Sequence, residues 1–405
     1  MARSAHTVSA ECRMQNAERA CLRLVFAFCI LHSAFASAAN AQTFKILGFL
    51  DGRETYVKAP PSWTQGGFGR FDVGADAPGD HATRSTAIAQ IGAEWTPATW
   101  LTAHAQVLAR SEPRGTQGKR FGLVEAYAEA HTNKWRLRAG EFFLPTSREN
   151  TDALWTSPYT ITWSALNTWM AQEVRPIGAD LQFAPSFYTT FGATAFRGND
   201  TMGTLPANRG WTLGSRLSVD DEDLAVPPPQ GSVKPIGPDL DGKWGFSERV
   251  RLTLPERALI QLTHLDNRAE LVDRRGQIPW QTEFNHVGAQ LGITGPATLA
   301  AEWMRGNTTV GFPGGTFTLH FSTAYLLGSY KPGVNRLSVR IDRFSGDDGD
   351  RGHAWTIAYF REPNDHLRAG LEYVRVSGSF PPAAAVAGTT RTGGSTLTAE
   401  LRYRF

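Results

Sequence analysis

From Leu397 to Phe405 the chain alternates with a period of two: Leu397, Ala399, Leu401, Tyr403 and Phe405 are apolar, and Thr398, Glu400, Arg402 and Arg404 are polar. Successive side chains of a strand leave opposite faces, so this spacing predicts a β-strand with one apolar and one charged edge. The pattern recurs along the chain. It reads through "STAIAQIGAEW", "WLTAHAQVLAR", "RFGLVEAYAEAH", "WRLRAGEFF", "IGADLQF", "FYTTFGATAF", "GFSERVRLTL" and "ALIQLTHL", then "HVGAQLGI", "TLAAEWMR", "FSTAYLLGSY", "RLSVRIDRF", "AWTIAYF" and "LRAGLEYVRV". Each stretch has about ten residues, the length of a tilted strand that crosses a bilayer.

Tight-turn chemistry punctuates these stretches at Thr96–Thr99, Thr132–Lys134, Ala184–Ser186, Pro255–Arg257, Gly295–Ala297, Pro332–Asn335 and Glu362–Asp365. Between successive turns lie two alternating stretches joined by a longer polar loop. Short turns on one side and long loops on the other are the asymmetry of an outer-membrane barrel, with the turns in the periplasm. Counting from "TFKILGFL" to the last strand gives about 16 strands, which places both termini in the periplasm. "GWTLGSRLSV", from Gly210 to Val219, also alternates, but the proline-rich stretch after it offers no partner. It is assigned to a long fourth loop; if it spans, the count rises to about 18.

Aromatic residues give the sheet a side. Trp95 and Trp100 bracket the first turn, Trp135 follows the second, Phe183 and Phe187 bracket the third, Tyr330 and Phe360 precede the sixth and seventh, and Tyr403 and Phe405 close the chain. Rings at one level form the girdle that sits among lipid headgroups. Core aromatics of a soluble sandwich would not favour positions next to turns. The expected fold is therefore all-β: a transmembrane, antiparallel, up-and-down barrel with short periplasmic turns and long extracellular loops.

The first forty residues are of another kind. Arg19 and Arg23 precede an apolar run from Leu24 to Ala39, and Ala39-Asn40-Ala41 has the small-x-small form of a signal-peptidase site. The domain plan is a signal peptide at 1–41 and one barrel domain at 42–405, with the mature chain starting at Gln42; the long leading segment also allows translation from Met14. Cys12, Cys21 and Cys29 all fall in the removable part, so thiol catalysis and cysteine metal sites are not expected. Removing Arg3, Arg13, Arg19, Arg23, Glu11 and Glu18 leaves a nearly balanced charge, with no field to attract nucleic acid. After Ala41 no apolar run is long enough for a spanning helix.

A terminal strand of alternating apolar residues ending in Phe resembles the C-terminal signature of Gram-negative outer-membrane porins. The resemblance implies export to the outer membrane, contact with its lipid and lipopolysaccharide, and recognition of the last strand by the barrel-assembly machinery. It also brings the homotrimer that porin-like barrels often form, on which no residue of this chain bears. A second likeness covers Arg136–Asn150, "RLRAGEFFLPTSREN", which is similar to a stretch of the phosphate-selective porin O and P group. That family's anion selectivity depends on pore lysines, and Lys45, Lys58, Lys119, Lys134, Lys234, Lys243 and Lys331 fall largely in turns and loops. Phosphate selectivity does not carry over.

If the apolar set faces lipid, the opposite set faces the lumen. That set holds Arg136, Arg138, Arg249, Arg251, Arg340, Arg368, Arg402 and Arg404, with Glu125, Glu129, Asp180, Glu302, Asp342, Glu372 and Glu400. A lumen so lined is expected to hold water and to pass small hydrophilic solutes. Two readings of these charges stand: pairing across strands to brace the wall, or an arginine ladder facing carboxylates across the pore, with weak preference for anionic or zwitterionic solutes. By the porin resemblance, the third loop, after Pro145, folds inward. Its Arg148, Glu149 and Asp152 are candidates for a charged constriction. Trp155, Tyr159, Trp163 and Trp169 form either an aromatic surface for a solute or a packed plug.

The clusters "VDDED" (Val219 to Asp223) and "SGDDGDRG" (Ser345 to Gly352) lack calcium-loop spacing and read as solvated outer loops. No metal site or cofactor is expected. No G-x-S-x-G, H-E-x-x-H, P-loop or dinucleotide fingerprint occurs, and the scattered histidines nominate no catalytic pair. The competing functions are a non-channel barrel serving adhesion, assembly or polymer export, and a barrel enzyme.

Overall fold

In a computed structural model the described residues are 43–113, 115–228, 230–272, 276–380 and 393–405. The expected leader at 1–41, its three cysteines and the start at Gln42 lie outside them. Eighteen strands follow in order. They are β1 (Thr43–Lys58), β2 (Ala82–Ala98), β3 (Leu101–Arg110), β4 (Phe121–His131), β5 (Trp135–Glu141), β6 (Ile177–Phe183), β7 (Thr189–Arg197), β8 (Leu224–Ala225) and β9 (Ser232–Val233). Then come β10 (Gly245–Leu254), β11 (Ala258–Asp266), β12 (Trp280–Leu291), β13 (Ala297–Phe312), β14 (Gly315–Tyr330), β15 (Asn335–Gly346), β16 (Arg351–Arg361), β17 (Leu367–Ser379) and β18 (Gly393–Arg404).

All but β8 and β9 join one closed antiparallel barrel of sixteen strands, in which consecutive wall strands pair and β1 pairs with β18. The seam sets Phe49 opposite Arg404 and Lys58 opposite Ser395. Closure leaves no edge and satisfies every backbone group of the wall in a medium without water. All seven expected turns fall at junctions between wall strands: the first overlaps the end of β2 at Thr96–Ala98, the fifth and sixth reach the first residues of β13 and β15, and the other four lie wholly between strands. Among the described residues no helix is long and apolar enough to cross a membrane. Gly210–Val219 is not a wall strand: Trp211, Leu213, Leu217 and Val219 are buried, and Leu213 N–H donates to the Arg70 carbonyl at 2.7 Å. β8 and β9 pair only with each other.

The outward face is apolar. Ile46, Leu50, Leu137, Leu252, Leu262, Leu326, Leu337, Ile341, Ile357, Leu371 and Leu401 are exposed, as lipid contact requires. At the turn end, Trp100, Trp135, Phe187, Tyr330, Tyr403 and Phe405 are exposed too. Trp95 lies opposite exposed Phe44, and Phe183 stacks on Trp135 at 4.4 Å. Phe360 is a correction. It is fully buried inside the barrel, with the Arg368 guanidinium over its ring. The strand's parity decides this: Trp355, Ile357 and Tyr359 face lipid, so Phe360 points inward, and Tyr359 occupies the girdle position.

The lumen is not open over its whole height. In the half nearer the loops, the inward positions of the wall include Phe284, Met304, Phe321, Phe344, Val374 and Val376. They pack against Leu166, Trp169 and Met170 of the third loop and Trp211 and Leu213 of the fourth, forming a dry core inside the barrel. Trp169 meets Trp211, Phe284 and Phe321 edge to face. The helix α1 (Ala165–Glu173) carries this part of the third loop. Ser164 caps it by accepting from Asn167 N–H, and its Ala, Leu, Met, Gln and Glu are good helix formers.

Candidate channel constriction

At mid-height, β1 and β18 place Asp51, Arg53, Glu400 and Arg402 on one inward patch, with Arg53 opposite Glu400 and Asp51 opposite Arg402. The Asp51 carboxylate takes Arg53 and Arg402, each at 2.7 Å. Glu400 takes Arg368 at 2.7 Å, Arg402 at 3.2 Å and Arg53 at 3.3 Å. Three guanidinium groups thus share two carboxylates. Asp51 and Arg53 escaped the sequence reading because the first strand was followed only as far as Leu50. The signal was there: Asp51, Arg53 and Thr55 keep the parity of Phe49 while Leu50 and Tyr56 face out.

The next rungs of the wall are tied to the third loop. Arg340 pairs with Asp342 at 2.8 Å and with Glu149 at 2.5 Å. Glu149 also accepts from Ser164 N–H at 2.8 Å. Glu372 accepts from the N–H groups of Ile161 and Thr162 at 2.6 and 2.9 Å. Glu302 gathers His286 at 3.0 Å, the Tyr325 hydroxyl at 2.5 Å and Asn167 at 2.7 Å. The loop is therefore fastened to β13, β15 and β17 by buried carboxylates. Each of these buried carboxylates has hydrogen-bond donors on the spot, as low-dielectric burial demands.

On the other arc, β4 carries a bulge between Gln106 and Val107 of its partner β3, which turns both Val124 and Glu125 inward. Glu129 binds Arg138 at 2.8 Å and Arg136 at 3.2 Å. Glu125 lies 3.4 Å from His104. Asp180 binds Arg249. Arg404 reaches Glu362 at the periplasmic rim, 3.1 Å away. Wall charges pair mostly between neighbouring strands, so the ladder across the pore is not the arrangement present.

Opposite the Arg53 patch the balance differs. Arg251 donates to Gln261 and to the Pro145 carbonyl, and Arg148 to the Thr146 carbonyl. Neither has a carboxylate at ion-pair distance among the described residues. Burial lowers the Arg148 pKa from its ordinary value, and nearby Glu302 opposes that shift.

Arg148, Glu149 and Asp152 do not combine into a charged constriction. Glu149 is a buried tether, and Asp152 is half-buried with its backbone bridged to Thr156. The aromatic surface is not formed either: Tyr159, Trp163 and Trp169 are buried, and Trp155 stacks on Phe143 and meets Trp163 edge to face. The acidic clusters are corrected in part. Glu222 is buried and paired with Arg110 at 2.7 Å and with Arg216. Asp350 is buried on Arg70 at 2.5 Å. Sequence spacing could not show that Arg70, Arg110 and Arg216 would arrive beside them.

Open space remains along one side. A cavity of about 100 Å³ lies between the wall at Arg53, Thr55, Thr86 and Thr398 and the loops at Thr162, Ser215 and Arg216. A smaller space of about 10 Å³ continues toward Phe49, Gln90 and Arg402. Both are lined by Arg53, Ile88, Ile161 and Ser215, so the two spaces adjoin along β1 and β2.

A closed sixteen-stranded barrel with an inward third loop is the porin fold. No protein-family model and no curated protein sequence matches the chain. Solved structures do. The outer-membrane channel DcaP of Acinetobacter baumannii aligns with a TM-score of 0.57 at 14% identity, over 91% of this chain and 99% of that one. The anion-selective porin from Comamonas acidovorans aligns with a TM-score of 0.56 at 12% identity, over 90% and 100%. OmpT of Vibrio cholerae gives 0.53 at 11% identity, over 91% and 99%. At such identities the likeness shows the fold.

Proposed function

We propose that this barrel is an outer-membrane channel for passive diffusion of small hydrophilic solutes, held narrow by its own loops. The observation that carries the reading is the gap along β1, β2 and β18, where Arg53, Thr55, Thr398 and Gln90 line space beside the third loop. Threonine and arginine at that gap replace water around a polar solute, whereas the rest of the upper lumen is packed apolar core. Arg148 and Arg251 add unmatched positive charge on the opposite side, which favours anions. Of the structures that share the fold, DcaP is named as an outer-membrane channel and the Comamonas acidovorans protein as an anion-selective porin. A structure of OmpT described as a trimer supports a trimeric assembly for this chain too.

A second reading draws on the dry core: a plugged barrel whose fourth loop binds a partner in adhesion or export. Purified protein in planar bilayers separates the two. Discrete, roughly ohmic steps are expected, and a folded but electrically silent barrel refutes the channel.

A further inference from the structure

Three carboxylates and two guanidinium groups gather where the first, second and fourth long loops meet the end of β3. Arg110 pairs with Glu222 at 2.7 Å and with Glu112 at 2.8 Å, and Arg216 pairs with the same two carboxylates. Asp72 is the third. It has no cation at ion-pair distance among the described residues, and it accepts from Ser215 N–H at 2.5 Å. Its Oδ1, like Oε2 of Glu112, is buried with no hydrogen-bond partner among the described residues. Burial raises the Asp72 pKa from its ordinary value, against the pull of that N–H and of Arg216. A buried carboxylate in that condition is short of a cation.

The wall beside it has the opposite imbalance. Arg53 belongs to the group in which three guanidinium groups share Asp51 and Glu400, while Glu372 is occupied by the N–H groups of Ile161 and Thr162. Ser215 joins the two ends: its hydroxyl accepts from Arg53 and its N–H donates to Asp72. Arg53, Asp72 and Glu112 all line the cavity of about 100 Å³. With a liquid share of about 30 Å³ per water, that is room for about three waters or for one compact solute in their place. Phe71, Ile88, Leu108 and Leu213 give the same cavity an apolar wall.

We propose that this cavity binds a zwitterionic α-amino acid with a short aliphatic side chain. Arg53 faces the carboxylate, Asp72 and Glu112 turn to the ammonium group, and the apolar wall takes the side chain. A solute with both charges suits the two ends together, whereas a simple anion or a simple cation meets one end of its own sign. The assignment rests on the channel reading for its role, since it names the solute class held in the gap. Binding itself needs no current.

The test is a saturation-transfer NMR titration of purified protein in detergent with L-alanine, with L-lactate, which has a hydroxyl in place of the ammonium group, and with L-alaninamide, which lacks the carboxylate. Wild type is expected to bind L-alanine about tenfold more tightly than either, because each analogue loses one charge-assisted contact. Asp72→Asn is expected to bring the preference over L-lactate close to unity. Asp76→Asn, on the same loop but exposed and paired with Arg84 at 2.6 Å, should leave that preference unchanged. Heat-modifiable gel migration checks folding; if Asp72→Asn fails it, the comparison of the three ligands on wild type decides alone. Wild type that does not bind L-alanine, or binds L-lactate or L-alaninamide equally well, overturns the proposal, as does an undiminished preference in folded Asp72→Asn. Bilayer recordings keep the two readings apart. A silent barrel that binds L-alanine selectively refutes the channel and keeps the site, whereas ohmic steps without selective binding keep the channel and overturn the site.

Discussion

Glu173 shows what burial does to a single charge. It ends α1, is fully buried, and accepts from Trp169 Nε1 at 2.7 Å and from the N–H groups of Gly203 and Leu205 at 3.0 Å each. Among the described residues no cation faces it, and burial outweighs the three donors, pushing its pKa up to about 8. A free glutamate titrates near about 4.3, so the folded protein holds this proton more tightly than the unfolded chain does. Its stabilising contribution is therefore full below about pH 4, declines as pH rises, and is lost above about 8. Asp200, pushed up to about 7 chiefly by burial, acts in the same direction. The difference in melting temperature between wild type and Glu173→Gln is expected to favour wild type most at acid pH and to shrink toward pH 8. A difference independent of pH would rule this out.

At the scale of elements, the seam between β1 and β18 depends on one missing side chain. Gly48 and Phe405 exchange backbone hydrogen bonds at 2.9 and 3.0 Å, and the Phe405 ring lies over Gly48. A Cβ at position 48 would come within 2.6 Å of that ring and 2.8 Å of the Gln90 carbonyl oxygen. The ring can swing away, but the carbonyl belongs to the wall. Gly48→Val is expected to cost about 1–3 kcal/mol and to lower the temperature at which the folded band disappears on a gel. An unchanged transition would show that the seam yields freely.

At the scale of the molecule, a large barrel has been narrowed by its own chain. Two loops enter, meet inward aromatics of the wall in one half, and leave a narrow gap along β1, β2 and β18. On the opposite side, Arg148 and Arg251 have no carboxylate at ion-pair distance among the described residues, and in the proposed channel their charge adds to the field across the lumen. Arg148→Ala/Arg251→Ala is expected to lower the anion-to-cation permeability ratio by a few-fold, read as the reversal potential across a salt gradient. Wild-type protein with marked cation preference would contradict the assignment.

The sidedness of each strand, the seven turns and the number of wall strands were all legible in the sequence, because a period of two and turn chemistry are local properties of the chain. "FSERVRLTL" in β10 shows its two faces without any structure. Loops carry no such period. Nothing local tells that Glu222 will meet Arg110 and Arg216, that Glu149 will be fastened under Arg340, or that Trp169 will close on Phe284 and Phe321. Phe360 marks the border between the two kinds of information: proximity to a turn suggested the girdle, while parity placed the ring inside. Alternation decides which face a side chain occupies. What fills the space behind that face depends on residues far apart in the chain, and only closure of the barrel brings them together.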